Sequence, residues 1–297
     1  QHMFIKRVIP VPINNKVYCD LVTPYGYGGP VILHCREGHR NQLVNEFKQC
    51  FQQYCAQNGV VSEFVRFHPV FGNAEDFSDC YSIEYVRNTV GTSLDGIDDP
   101  FQSVFSKSCR HRVRRALRDG VGYRVAENPT SLDMFRIIYY STMNRNNASG
   151  FYYFDDEYFD QCLRFFQDKL VLVEAVYETQ TIAAALCFRY GRNIHIHLSG
   201  TLTEYLHLSP AYVLRYAIIM WASENGYSLI HHGGGRTNRL DDGLYCFKKQ
   251  FGNIDFRFFV GKKIWNEDCY WRLCENLKVD KTSDFFPAYR ALPTQKN

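Results

Sequence analysis

From residue 131 to residue 260 the sequence switches between two hydrophobic periods in a fixed order, and that order limits the folds open to the chain. Apolar residues recur at helical spacing over about 131–143 and 155–167, which predicts two helices. Strand patterns follow at 170–177, 181–190 and 194–198, separated by the turns Glu178-Thr179-Gln180 and Gly191-Arg192-Asn193. A helix then opens with Ser209 as N-cap and Pro210 at its first position, and it stops at Asn225-Gly226. A strand at 227–231, a helix near 240–250 and a strand at 254–260 complete the series. The expected class is therefore α/β (α+β).

The first half alternates less regularly. A strand at 17–22 runs into the turn-rich segment 23–30 and the short apolar run Val31-Ile32-Leu33. Leu43, Phe47, Phe51 and Tyr54 mark a helix over about 41–57, closed by Asn58-Gly59. Strands at 60–67 and 82–88, a helix over roughly 101–118 and a strand at 121–126 follow. The weakest seam is Glu127-Asn128-Pro129, which places one domain over 1–126, with 277–297 available to complete it, and a second over 127–276. A chain of 297 residues is long enough for two such cores.

Composition excludes several classes. Hydrophobic residues at 45% against charged residues at 22% are globular proportions, not disordered ones. A net charge of +3 is mild for a dedicated nucleic-acid binder, yet it allows a local grip on phosphates. Eleven cysteines without a C-x-x-C pair predict reduced thiols and no zinc site, with Cys187 and Cys246 read as small buried hydrophobes. No apolar run approaches the roughly 18 residues of a membrane span, and no secretory h-region follows the first residues. The expected location is the cytoplasm.

Three segments carry the candidate chemistry. Residues 23–30 hold Tyr25, Gly26, Tyr27, Gly28 and Gly29, a loop that lets backbone and aromatic rings approach a ligand, or an ordinary surface turn. His231-His232-Gly233-Gly234-Gly235-Arg236 ends a buried strand in three glycines whose N–H groups suit an anion or oxyanion. The two histidines point to opposite faces of a strand, which argues against a shared metal. In Tyr245-Cys246-Phe247-Lys248-Lys249-Gln250-Phe251-Gly252 the two Phe lie on one helical face, so one of the adjacent lysines can turn toward a cleft. The helix dipole alone also favours lysines there.

Taken in order with Phe64-Val65-Arg66-Phe67-His68-Pro69, Tyr139 to Arg145 with Tyr152-Tyr153-Phe154, and His197-Leu198-Ser199-Gly200-Thr201, these segments resemble the Fem-type (FemAB-like) non-ribosomal peptidyltransferases of the GNAT acyltransferase superfamily. The resemblance implies tandem GNAT-like domains, each a mixed central sheet flanked by helices, forming a cleft, and transfer of an amino acid from aminoacyl-tRNA to an amine of a peptidoglycan-type cell-envelope precursor. It implies no metal and no tightly bound cofactor. It casts Lys248 as the cation at the reacting ester, with His232 and Asp241 (or Asp242) as weaker candidates for proton transfer. Substrate contacts fall on Tyr25, Gly26, Tyr27, Gly28, Gly29, Arg66, His68, Tyr153, His197, Ser199, Gly233, Gly234, Gly235 and Arg236.

The segment that opens the 210–225 helix departs from the acetyl-CoA pattern. Acetyl-CoA-using GNAT domains hold the pyrophosphate on the amides of a Gly-rich loop there. Here Leu202 to Pro210 contains no glycine, and Pro210 removes an amide. Two alternatives stay open: an acyl-CoA-dependent N- or O-acyltransferase acting on an amino sugar or polysaccharide precursor, and a non-catalytic cleft-binding protein. The helix around 106–118 holds six Lys or Arg and could meet tRNA phosphates, with Asp95 to Asp99 as an acidic counterweight.

Overall fold

A computed structural model describes residues 1–279 and 284–291. Along the chain, β1 (Ile5–Val8), β2 (Cys19–Val22), α1 (Arg40–Gln57), β3 (Val60–Arg66), α2 (Asn73–Asp76) and β4 (Ser82–Ser93) come first. Next are α3 (Pro100–Ser103), α4 (Lys107–Arg118), β5 (Val121–Glu127), α5 (Asp133–Arg145), α6 (Asp156–Phe166), β6 (Leu170–Tyr177), β7 (Gln180–Tyr190) and β8 (Asn193–Thr201). The last are α7 (Pro210–Glu224), β9 (Leu229–Gly234), α8 (Gly243–Lys249), β10 (Ile254–Ile264) and α9 (Glu267–Asn276). The α/β class expected from the hydrophobic periods is borne out, and the helix and strand order of the second half is as read.

The chain forms two compact units whose limits differ from the seam expected at 127–129. One comprises Gln1–Arg87 together with the described residues from Arg257 on; the other is Asn88–Phe256. Both passages fall inside long strands, β4 and β10, where no Gly or Pro marks the change. Of the segment 277–297 expected to complete the first domain, 280–283 and 292–297 lie outside the described residues. Tyr289 and Arg290 of that segment both donate to the buried Asp20 carboxylate, at 3.2 and 2.5 Å.

In the first unit the sheet order is β1–β2–β3–β10–β4, with β2 and β3 parallel and joined through α1. In the second it is β4–β9–β8–β7–β6–β5, antiparallel except for β8 and β9. The β8–β9 ladder is short: it runs from Asn193↔Leu229 to His195↔His231, while β8 continues to Thr201 and β9 to Gly234. The two strands therefore part beyond His195 and His231.

Alternation along the central strands serves two cores. Val171, Val173, Cys187, Ile194 and Ile230 face α7, whose Val213, Ala217 and Ile218 are fully buried. Leu170, Leu172, Leu186 and Leu198 face Phe135, Ile138 and Phe159 of α5 and α6. Gly200 lets β8 meet the α5 backbone, since a Cβ there would stand 2.6 Å from the Ile138 carbonyl oxygen. All eleven cysteines are free. Cys187 is buried as expected, but Cys246 is exposed because its step on α8 lies between the inward Tyr245 and Phe247. Among the described residues no helix is long and apolar enough to cross a membrane.

Candidate functional site

The end of β9 and the start of α8 are built around one carboxylate. Asp242 caps α8 by accepting from the N–H groups of Leu244 and Tyr245, at 3.0 and 2.9 Å. Its second oxygen accepts from the N–H groups of Arg236 and Thr237 and from the Thr237 hydroxyl. These backbone bonds hold the Asp242 carboxyl down at about 2. Gly235 must be glycine, because a Cβ would stand 2.5 Å from Asp242 Oδ1. Arg236 then reaches Asn146 at the end of α5, Nη2 to Oδ1 2.9 Å. Asp241, by contrast, is exposed and forms a forked pair with Arg239 at 2.8 and 2.7 Å.

α8 separates its two lysines. Phe247 and Phe251 pack together as their spacing predicts, ring centres 5.2 Å apart. Lys248 is turned inward and buried, and its ammonium donates to the Gly234 carbonyl across 2.7 Å. Lys249 points outward to Asp255, 2.6 Å away.

His232 lies beneath this end of the strand and is fully buried. Thr92 donates its hydroxyl proton to the Phe251 carbonyl at 2.6 Å, so the Thr92 oxygen receives Nε2–H of His232 at 2.8 Å. That leaves a lone pair on Nδ1, which has no partner among the described residues. Burial first, then the positive charges of Arg215 and Lys248, hold His232 well below the usual imidazole range. It is a neutral ring.

The opposite face of these strands carries other histidines. His195 and His231 meet through their Nδ1 atoms at 3.0 Å, and His231 Nε2 reaches the Thr89 hydroxyl at 2.8 Å. His197 contacts the Tyr158 hydroxyl through Nε2 at 2.5 Å, and burial lowers it to about 4. Ser199 is half-buried on β8 opposite Ala185. Tyr153 stacks on Tyr140 with ring centres 6.0 Å apart and donates to Asn144 Oδ1 at 2.8 Å.

In the first unit the Tyr-Gly loop and the Arg66 strand do come together. Gly28 N–H donates to the Arg66 carbonyl at 2.7 Å, and the Arg66 N–H to the Thr23 hydroxyl at 3.1 Å. Tyr27 packs edge-on against His68 and Phe258, at 5.9 and 5.1 Å between ring centres. Burial raises the Tyr27 hydroxyl to about 12 and lowers His68 to about 4. Tyr25 is partly exposed, beside Gly26, and the Arg66 guanidinium lies over the Phe64 ring at 5.1 Å. The loop is held by a residue that sequence reasoning missed. Asn73 Nδ2 donates to the carbonyls of Gly28 and Pro30 while its Oδ1 accepts the His68 N–H. Gly29 fits between Asn73 and Val65.

Other unforeseen residues are Thr92, Tyr158 and Arg215. None sits in a motif, and only contacts distant in sequence reveal them. On α4, Arg110 is spent on the carbonyls of Gln102 and Phe105, and Arg112 and Arg114 lie over Tyr212 and Phe101. The acidic stretch finds partners elsewhere: Asp95 pairs with Arg192 and Asp99 caps α3. Among the described residues no cluster of three His, Cys, Asp or Glu is placed to hold a metal.

An acetyltransferase (GNAT) domain profile matches residues 103–241, all within the second unit. Among solved structures, FemX superposes with a TM-score of 0.65 over 91% of this chain and 90% of that one, at 13% identity. This is a FemX-type fold. L-PGS from Bacillus licheniformis is similar to it at a TM-score of 0.55 and 14% identity, over 82% of this chain and 77% of that one. In sequence, the chain is 25% identical over 176 residues to the UDP-N-acetylmuramoylpentapeptide-lysine N(6)-alanyltransferase of Weissella viridescens. The match covers 58% of this chain and 51% of that protein, so the chain spans about half the length of the curated relative. The Fem-type resemblance is thereby borne out. Within the FemX-type fold, Asp242 and Lys248 stand just past the end of the GNAT match.

Proposed function

We propose that this chain transfers an aminoacyl group from aminoacyl-tRNA to an amine of a peptidoglycan-type precursor, acting in the cytoplasm where charged tRNA is found. The observation that carries this reading is the head of α7. The chain enters it through a 3-10 helix at Thr203–Leu208, and Ser209 adopts a left-handed conformation (φ 56°, ψ 41°) without a side-chain cap. Pro210 offers no N–H, and the N–H groups of Ser209 and Tyr212 are engaged by Leu206 and Ser209 carbonyls. A CoA pyrophosphate needs several free amides at that place. A GNAT fold whose phosphate cradle is filled this way suits a donor other than acetyl-CoA.

The chemistry asks little more of the protein than placement and charge. The acceptor amine attacks the ester carbonyl, giving a tetrahedral oxyanion. The C–N amide bond stays, the ester C–O bond breaks, and the amine proton ends on the departing ribose oxygen. Lys248, buried beside Gly234, is the cation for the oxyanion. Neutral His232 and the paired, exposed Asp241 are poor bases, so the amine arrives deprotonated. The Tyr27, Arg66 and His68 cluster takes the acceptor. The name of the Weissella relative suggests a lysine on a UDP-N-acetylmuramoyl pentapeptide as the first acceptor to try. Exposed cations of α4, Lys107 and Arg118 among them, suit tRNA phosphates.

The purified protein, given a mixed charged-tRNA pool and lysine-containing UDP-N-acetylmuramoyl pentapeptide, should yield precursor heavier by one aminoacyl residue in mass spectrometry. RNase should abolish that product. Product formation with acyl-CoA alone would move the chain to sugar or polysaccharide acylation instead.

A further inference from the structure

α7 turns an arginine into the apolar interior. Arg215 is 5% exposed, on a helix whose other inward residues, among them Val213, Leu214, Ala217 and Ile218, are apolar. No carboxylate among the described residues bonds to it, and its Nη1 has no hydrogen-bond partner among them. The groups it acts on are the Cys187 thiol and the His232 ring. Those two residues fix its place. Cys187 lies opposite Ile196, the first β8 residue past the end of the β8–β9 ladder, and His232 is the first β9 residue past it. Arg215 therefore sits on the α7 side of the fork where the two parallel strands part.

His232 repeats the anomaly with an equally buried, unpartnered Nδ1. Lys248 acts on the same ring from α8, so two cations converge on a neutral histidine, and no carboxylate acts on it. An uncompensated buried charge strongly destabilises a fold, and replacing it with an apolar side chain of similar volume is often neutral or stabilising. A cation kept at that cost is suited to a negative charge that exists only during reaction.

We propose that Arg215 is a second cation of the donor site, held at the fork of β8 and β9 to stabilise, with Lys248, the oxyanion formed from an acyl ester. It does not touch the reacting atoms; its fixed charge acts across His232 and Lys248, which makes it a positioning residue. The proposal rests on the acyl-transfer reading above and adds a residue to it.

The test compares the full-length parent with Arg215→Met and Arg215→Lys in melting temperature and in kcat and donor KM. Arg215→Met should melt at or above the parent temperature, lose about 10- to 100-fold in kcat, and keep donor KM within about twofold. Arg215→Lys, which keeps the charge, should recover most of the lost kcat. A fall of several degrees in Arg215→Met, whether or not turnover follows, would mark a packing residue and overturn the proposal. So would turnover equal to the parent's, or a Lys variant no better than Met. If the parent transfers no acyl group from any donor, the functional reading falls and this proposal falls with it. If only the variants behave like the parent, the proposal alone falls.

Discussion

The Lys248 ammonium and the Gly234 carbonyl are joined across 2.7 Å, so α8 is bolted to the last residue of β9 by the side chain we propose as the cation at the reacting ester. The same bond that orients the cation keeps it from solvent. Lys248→Met keeps most of the side chain's apolar stem and removes the charged end. We expect kcat to fall about 100- to 1000-fold, the usual loss for one oxyanion donor. Lys249→Met, which breaks only an exposed pair with Asp255, should leave kcat within about twofold. Steady-state kinetics of the two neighbours checks both; equal losses would show that charge density on α8 matters rather than the Lys248 contact.

Asp241 and Asp242 are adjacent and opposite in role. Asp242→Ala should cost about 1–2 kcal/mol, because one carboxylate caps α8 and holds the N–H groups of Arg236 and Thr237. Asp241→Ala should leave stability nearly unchanged, since its pair with Arg239 is exposed. Urea midpoints of the two variants measure the difference. Comparable losses would contradict the assignment of the cap to Asp242.

Stability should fall in mild acid. Burial places His68 and His197 at about 4 in the folded chain and holds His232 well below its usual value. Unfolded imidazoles bind protons near 6.5. Between about 6.5 and about 4 the unfolded chain thus binds protons that the folded chain does not, and this contribution, complete above that window, is lost as pH drops. Each such histidine gives a slope of up to about 1.4 kcal/mol per pH unit. Urea midpoints should drop between pH 7 and pH 5, and His197→Gln should flatten the curve. A midpoint constant over that range would contradict the burial of neutral rings.

Asn73→Leu should disorder the Tyr-Gly loop. It leaves the carbonyls of Gly28 and Pro30 and the His68 N–H without their partner inside the first unit. The expected cost is about 2–4 kcal/mol, with a larger rise in acceptor KM than fall in kcat if the loop binds the acceptor. An unchanged acceptor KM in folded protein would remove that loop from the acceptor site.

What could be read from the residues alone follows from which forces are local. β6, β7 and β8 are runs of apolar residues with turn residues between them, and α7 announces itself through Pro210 and Asn225-Gly226, so these elements stand where expected, although the Ser209 side chain does not cap α7 as expected. The spacing of Phe247 and Phe251 allows one of the two lysines to turn inward, but the helix dipole accounts for lysines there equally well, so the burial of Lys248 shows only in the fold. The rest depends on distant pairing. Arg290 reaches Asp20 across 270 positions of chain, and the passages between units lie within strands with no local mark. Arg215 reads in sequence as a polar step in an apolar helix, and only the core around it shows that the charge is buried. Asn73 looks like an ordinary surface residue until its bonds to Gly28 and Pro30 are seen.

The most direct measurement is donor discrimination: purified full-length protein titrated separately with charged tRNA and with acetyl-CoA, at low and at moderate salt. Saturable tRNA binding that weakens as salt rises, with no acetyl-CoA signal, is the predicted result. Saturable binding of acetyl-CoA with no response to charged tRNA would contradict the account, because it would require a phosphate cradle that Ser209 and Pro210 do not provide.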